Sequence, residues 1–279
     1  MTTRIIPITP FEQIQAPSSV GHGFSFHCTQ CGKCCSDGPQ LTFAEAFALR
    51  DILPMRLMIS TSVISVFDSS SKKQASTLVA MGFPRYQEGG MTYILNISPS
   101  TYQYQTGRCI ALADNNQCGI YDKRPSICKS VPMATLASDD SIPARLDSFG
   151  KEFGCIQRQE DSAISVDGLN FNRKEIYDEI PFSSIVAGAL MDLVDIRPGR
   201  MSIDSTHIAM LLDVQDRYFT GVQNGRGVQF AQSQLALLTR LVDDALQRKR
   251  KEDRKITKSY QETILMLRAF IEKEKNIPV

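Results

Sequence analysis

Net charge is nearly missing: 31 Lys and Arg stand against 30 Asp and Glu in 279 residues, leaving a formal +1. A balance that even offers no field for nucleic acid or a membrane surface. Long hydrophobic runs are missing too. The most apolar stretch, PFSSIVAGALMDLV, is interrupted by Asp192 and falls short of the roughly 20 residues that span a bilayer. The opening segment MTTRIIPITPFEQIQAPSSV has one early Arg but no continuous apolar run followed by a small-residue cleavage site, so the expected location is the cytoplasm. There is no internal repeat and no long low-complexity tract. No G-x-G-x-G loop follows a strand-like run, as a common S-adenosylmethionine site would need, and the radical-enzyme spacing C-x3-C-x2-C does not occur. Cysteine is absent after residue 155. With 42% hydrophobic and 22% charged residues, the remaining composition is that of an ordinary globular chain, which leaves an unidentified protein as the open class of partner or substrate.

What is present is a concentration of thiols. All eight cysteines lie between Cys28 and Cys155, and four of them fall in FSFHCTQCGKCCSDGP, residues 24–39. In a reducing compartment such a group does not form a disulfide framework. A thiolate is a soft ligand, and C-x2-C spacing lets one turn present two sulfurs to one metal. Gly32 follows Cys31 where such a turn brings backbone close to sulfur. Cys28, Cys31 and Cys34 therefore make a three-ligand loop.

The same stretch follows the bacterial ferredoxin run C-x2-C-x2-C-x3-C-P at its first three cysteines and at Pro39, with Gly38 in the place of the fourth Cys. The missing ligand must then come from far along the chain. Adjacent Cys34 and Cys35 do not easily wrap one ion together, whereas two metal centres use both. Cys109, Cys118, Cys128 and Cys155 complete the count, and eight thiolates divide into two four-sulfur sites. The cofactor expected is an iron–sulfur cluster, such as 4Fe-4S, or zinc. A lone cysteine is also read as a small buried hydrophobe, and Cys155 is the first to which that applies. His27 abuts Cys28 as a ligand or as an N–H donor to sulfur; His22 and His207, with no acidic or thiol motif beside them, read as structural.

Three segments are expected: an N-terminal arm (1–23), a cysteine-cluster metal-binding domain (24–160) and a helical C-terminal region (161–279). Within the second, LTFAEAFALRDILPMRL reads as a short helix with Thr42 as N-cap and Glu45 at N3, ended by Pro54. MTYILNIS (91–98) reads as a strand. CIALADNNQCGIY reads as a hairpin of two short strands, Cys109–Leu112 and Gln117–Tyr121, turning at Asp114–Asn116. Pro125 opens a helix that carries Cys128. From about 172 the periodicity is helical: KEIYDEI, FSSIVAGALMDLVDI, DSTHIAMLLDVQDRYF, GVQFAQSQLALLTRLVDDALQRKR and SYQETILMLRAFIEK, broken at Pro181, at Arg197–Gly199 and at Gly221–Gly227. The glycine-rich GVQNGRG reads as a flexible helix connection, and the run 248–258, with its interspersed Glu252 and Asp253, as a solvated helix face. The fold class expected is mainly α: an irregular, metal-stapled cysteine region with a small hairpin, packed on a C-terminal helical bundle.

FHCTQCGKCC, followed downstream by CGIYDKRPSIC, closely resembles the CxxCxxCC family of zinc- or iron-chelating proteins, often called YkgJ-like, which includes the flagellin lysine N-methylases. The resemblance covers roughly residues 24–130. It implies Cys28, Cys31, Cys34, Cys35, Cys118 and Cys128 as ligands, with Cys109 as the Cys that precedes the C-x-I-Y block. It also implies one alternative activity, a protein lysine methyltransferase with S-adenosylmethionine as cofactor; a zinc-stapled protein-interaction module is a further alternative that the cysteine cluster leaves open. Tyr121, Asp122, Lys123 and Arg124, between two of the ligands, read either as the border of the metal site or, more simply, as a local Asp122–Arg124 ion pair beside a packed Tyr121.

Overall fold

The structure is a computed structural model that describes residues 19–20, 24–26, 28, 30–35, 38–63, 85–88, 91–101, 108–132, 142–158, 164–165, 179, 182, 186–187, 190, 199–222, 224–248 and 253–275. His22, His27 and most of the expected helices over 172–195 lie outside them.

The short helix α1 (Phe43–Ala48) starts where the capping box predicts: the Glu45 N–H donates to the Thr42 hydroxyl at 3.1 Å, and the Thr42 N–H donates to the Glu45 carboxylate at 3.0 Å. After Leu53 the chain enters strand β3 (Met55–Val63), which the sequence reading did not anticipate. Two tiny strands precede it, β1 (Ser19–Val20) and β2 (Phe24–Phe26). β4 (Arg85–Glu88) and β5 (Met91–Thr101) form a hairpin, so the strand predicted over 91–98 is present and runs three residues further. Late in the sequence come β6 (Ile156–Arg158), β7 (Ile164–Ser165) and β8 (Arg200–Ile203).

The main sheet is antiparallel, in the order β4-β5-β3-β8, with Met55 opposite Thr101 and Ile59 opposite both Ile97 and Met201. β3 is central, and Met55, Leu57 and Ile59 are fully buried. Buried Leu95 and Ile97 of β5 belong to the same core. Pro99 sits in β5 without breaking the β3 ladder, and its carbonyl accepts from the Leu41 N–H at 2.8 Å. β1 pairs with β7 and β2 with β6 as separate two-stranded ladders.

Helix dominates the rest, as expected for a mainly α chain. α2 (Ser126–Ser130) and α3 (Ile142–Phe153) belong to the cysteine region, while α4 (Thr206–Thr220), α5 (Arg226–Arg248) and α6 (Asp253–Lys275) pack together as the predicted bundle. Gly221, left-handed at φ 70°, ends α4 by donating to the Arg217 carbonyl. The predicted flexible connection is in the structure a tight α4–α5 turn, tied by Arg226 to Asp216 at 2.8 Å. Phe182, Val186, Ala187 and Leu190 are helical and buried, at the spacing of one helix face.

One hydrophobic core runs through Leu41, Phe43, Leu57, Leu95, Phe182, Leu212, Phe230 and Leu267, so sheet, α1 and bundle share it. Gln234 of α5 pins them together: its carboxamide donates to the Arg50 and Leu53 carbonyls and accepts from the Met55 N–H at 2.9 Å. No helix among the described residues is long and apolar enough to cross a membrane.

Candidate metal centre

Phe26 of β2 lies opposite Ile156 of β6. That register sets Cys28, two residues beyond β2, beside Cys155, which immediately precedes β6. The chain then reverses through Gln30 (φ 54°) and Gly32 (φ 72°), both left-handed. A side chain at Gly32 would also crowd the Asn116 carbonyl. The turn predicted from the glycine is therefore present, and it packs on a second loop. Lys33–Cys35 form one turn of 3-10 helix, with the Cys35 N–H donating to the Gly32 carbonyl at 3.1 Å. At three residues per turn, successive side chains leave such a helix about 120° apart. Cys34 and Cys35 therefore leave the backbone in different directions, yet their thiols stay within hydrogen-bond reach of each other; Cys34 is exposed and Cys35 half-buried.

The ferredoxin comparison stops at Gly38 for a steric reason: a Cβ at Gly38 would collide with the Thr101 hydroxyl at the end of β5. No cysteine fits there.

The second loop carries Cys109 and Cys118. The Cys109 N–H donates to the Cys35 carbonyl at 2.8 Å, tying the loop to the cluster. Its hairpin is closed by a single bridge, Leu112 to Cys118, with the Gly119 N–H on the Ala111 carbonyl at 2.8 Å, so the two short strands predicted there reduce to one rung. Asn116 is left-handed at φ 67°, and the Asn115 carboxamide oxygen accepts from the Gln117 N–H. These local side-chain bonds compete with a longer ladder. Tyr121, expected at the end of a strand, opens a 3-10 turn instead.

Arg124 stacks its guanidinium 3.7 Å from the Tyr121 ring centre and donates to the Tyr121 carbonyl at 2.9 Å; Asp122 and Lys123 are exposed. Pro125 then starts α2, as predicted, with Cys128 in its first turn. The α2 N-terminus is held by Glu45, whose second carboxylate oxygen accepts from the Ser126 N–H at 2.5 Å. One carboxylate thus closes the α1 capping box and anchors the helix that bears a site cysteine. The motif Thr42-x-x-Glu45 was legible as a cap; its long-range half was not.

All eight cysteines line one cavity of about 580 Å³, together with Tyr121 and Arg124. Cys155, the first candidate for a mere core residue, is half-buried on that cavity wall. His207 pairs with Asp204 at 3.3 Å in the first turn of α4, so an acidic neighbour missed in the sequence holds it there.

The thiols perturb one another. Cys35 donates to Cys34 and pulls the Cys34 thiol down to about 6 against the opposing effect of burial, with Arg124 assisting. The same bond, then burial and the nearby Cys109 and Cys128, push the Cys35 thiol far up. Burial, then Cys109, Cys118 and Glu45, push Cys128 up to about 12, and burial raises Cys109 and Cys155. Arg124 is the one cation among the described residues lining this cavity, so several thiolates can coexist there only against added positive charge. Among the described residues no group of three ligands already stands at metal-holding spacing. Among the described residues the donor set is gathered around one space but not closed on a point.

Fold and site together define a cysteine-cluster protein in which an irregular thiol-lined lobe is mounted on a sheet and a helical bundle. Residues 27–152 match the model of the CxxCxxCC family, described as "Putative zinc- or iron-chelating domain". No curated protein and no solved structure matches the chain.

Proposed function

We propose that the protein binds iron–sulfur clusters or zinc through Cys28, Cys31, Cys34, Cys35, Cys109, Cys118, Cys128 and Cys155, and that it does so in the reducing cytoplasm. The observation that carries this reading is the convergence of every cysteine in the chain on one cavity, although they come from five separate stretches of sequence. Core packing does not require that. The near-ferredoxin spacing of Cys28, Cys31 and Cys34 favours iron–sulfur over zinc. In either case the bound group would supply the positive charge that the thiolates lack, and the polypeptide would supply the sulfurs, the guanidinium of Arg124 and partial shielding from water. Neither the family description nor the site favours the methyltransferase alternative.

Anaerobic purification, with an absorption spectrum and elemental analysis on one sample, tests this. Broad visible absorption with matching iron and sulfide is the expected result. A colourless protein with stoichiometric zinc would replace iron–sulfur by zinc, and a protein that takes up neither would end the metal-binding reading.

A further inference from the structure

Given metal binding, the remaining question is which sulfurs act together. We propose that the eight cysteines form two four-thiolate sites, Cys28/Cys31/Cys34/Cys155 and Cys35/Cys109/Cys118/Cys128, with the chain passing from one site to the other at the Cys34–Cys35 peptide bond.

The first set is assembled by the β2–β6 ladder. Pairing of Phe26 with Ile156 brings Cys155 to Cys28 across about 127 residues of sequence, a separation that follows from the antiparallel register. The left-handed Gln30 and Gly32 fold Cys31 and Cys34 back toward the same end.

The second set is assembled by the hairpin and α2. Cys109 hydrogen-bonds its N–H to the Cys35 carbonyl, and the Leu112–Cys118 bridge returns Cys118 to the side of Cys109. Cys128 follows on α2, which Glu45 anchors. The Tyr121 N–H on the Cys118 carbonyl and the Cys128 N–H on the Pro125 carbonyl lead the chain from Cys118 through a tight turn directly into α2. Successive side chains leave the 3-10 turn about 120° apart, so release of the Cys35–Cys34 thiol hydrogen bond on metal binding lets adjacent cysteines serve different sites. Each set has the donors of a closed tetrahedral zinc site or of one four-cysteine cluster.

The test is a cadmium(II) titration of the full-length, reduced, metal-free chain, with bound metal counted by native mass spectrometry. The wild-type chain should take up two ions. Cys155→Ser and Cys118→Ser should each lose one tight ion. The double variant within a set, Cys31→Ser with Cys155→Ser, should still lose only one, whereas Cys31→Ser with Cys128→Ser should lose both. A second measurement needs no variant: as a chelator is added stepwise to the cadmium-loaded wild type, cysteines of one set should become open to alkylation together. Loss of both ions in the within-set double variant, or co-release of cysteines from different sets, would overturn the partition and leave metal binding standing. A wild-type chain that binds no cadmium would overturn both.

Discussion

In the metal-free chain the Cys34 thiol is drawn down to about 6 chiefly because Cys35 donates to it, and Cys34 is also the exposed member of the group. A lowered thiol is thiolate above its own titration point and loses that character as pH falls through it, whereas an ordinary thiol is still almost wholly protonated at pH 7. Iodoacetamide at pH 7 should therefore label Cys34 before the other seven cysteines, with the preference fading below about pH 6, as peptide mass spectrometry would read. Cys35→Ala removes the donor and should slow the labelling of Cys34 at pH 7; an unchanged rate would mean that Arg124 and exposure alone set its reactivity. Away from the sulfurs, Gln234 is the residue whose side chain does most to join the halves of the chain. Replacing it with Leu leaves the Met55 N–H and two carbonyls without their buried partner. At about 1–3 kcal/mol for each uncompensated buried group, Gln234→Leu should cost about 3 kcal/mol in urea unfolding, with the denaturant slope unchanged. A loss below about 1 kcal/mol would show that water or relaxation replaces these bonds.

Among the elements, α1 does two jobs that its six residues conceal. Thr42 caps it in the ordinary way, so Thr42→Ala should cost about 1 kcal/mol and leave metal affinity as it was. Glu45→Ala removes the same box and also releases the Ser126 N–H at the start of α2. The expected result is a similar loss of stability together with weaker metal uptake at the site that includes Cys128, and a partial recovery in Glu45→Gln, which keeps an acceptor. Equal metal affinity in the wild type and Glu45→Ala would confine Glu45 to capping. The cap was legible because its signature is four residues long. The bond to Ser126 spans 81 positions, and no local pattern encodes it. β3 was hidden differently: Met55, Leu57 and Ile59 do alternate, but MRLMISTSV follows Pro54 directly and Met58 puts an apolar residue on the opposite face, which blurs a short period-2 pattern. The hairpin failed in the opposite sense, since Asn115 and Asn116 supplied their own bonds and shortened the ladder that the turn signal promised.

At the scale of the whole molecule, the sequence announced a thiol cluster and a helical bundle, and both are there. It did not announce that the stretch between the cysteine blocks, Leu41–Thr101, supplies α1, β3 and β5 to the bundle's own core. That stretch is apolar enough to fold by burial, whereas the loops carrying Cys28–Cys35, Cys109–Cys128 and Cys155 contribute few fully buried apolar side chains. Where a core is thin, coordination energy takes its place, because an unfolded chain offers no preformed site and metal binding then counts as folding free energy. Removing the metal should accordingly act on one part of the protein. In hydrogen exchange before and after anaerobic chelation, amides of residues 30–35, 109–128 and 155–158 should lose protection by orders of magnitude, while those of β3, β5, α4, α5 and α6 should change little. The Cys109 and Cys35 pairing is the sensitive reporter, since its single backbone bond ties the hairpin loop to the turn that carries Cys31, Cys34 and Cys35. Global loss of protection would show instead that the shared core is too weak to stand without its metal, and that the sheet and bundle depend on the sulfurs they support.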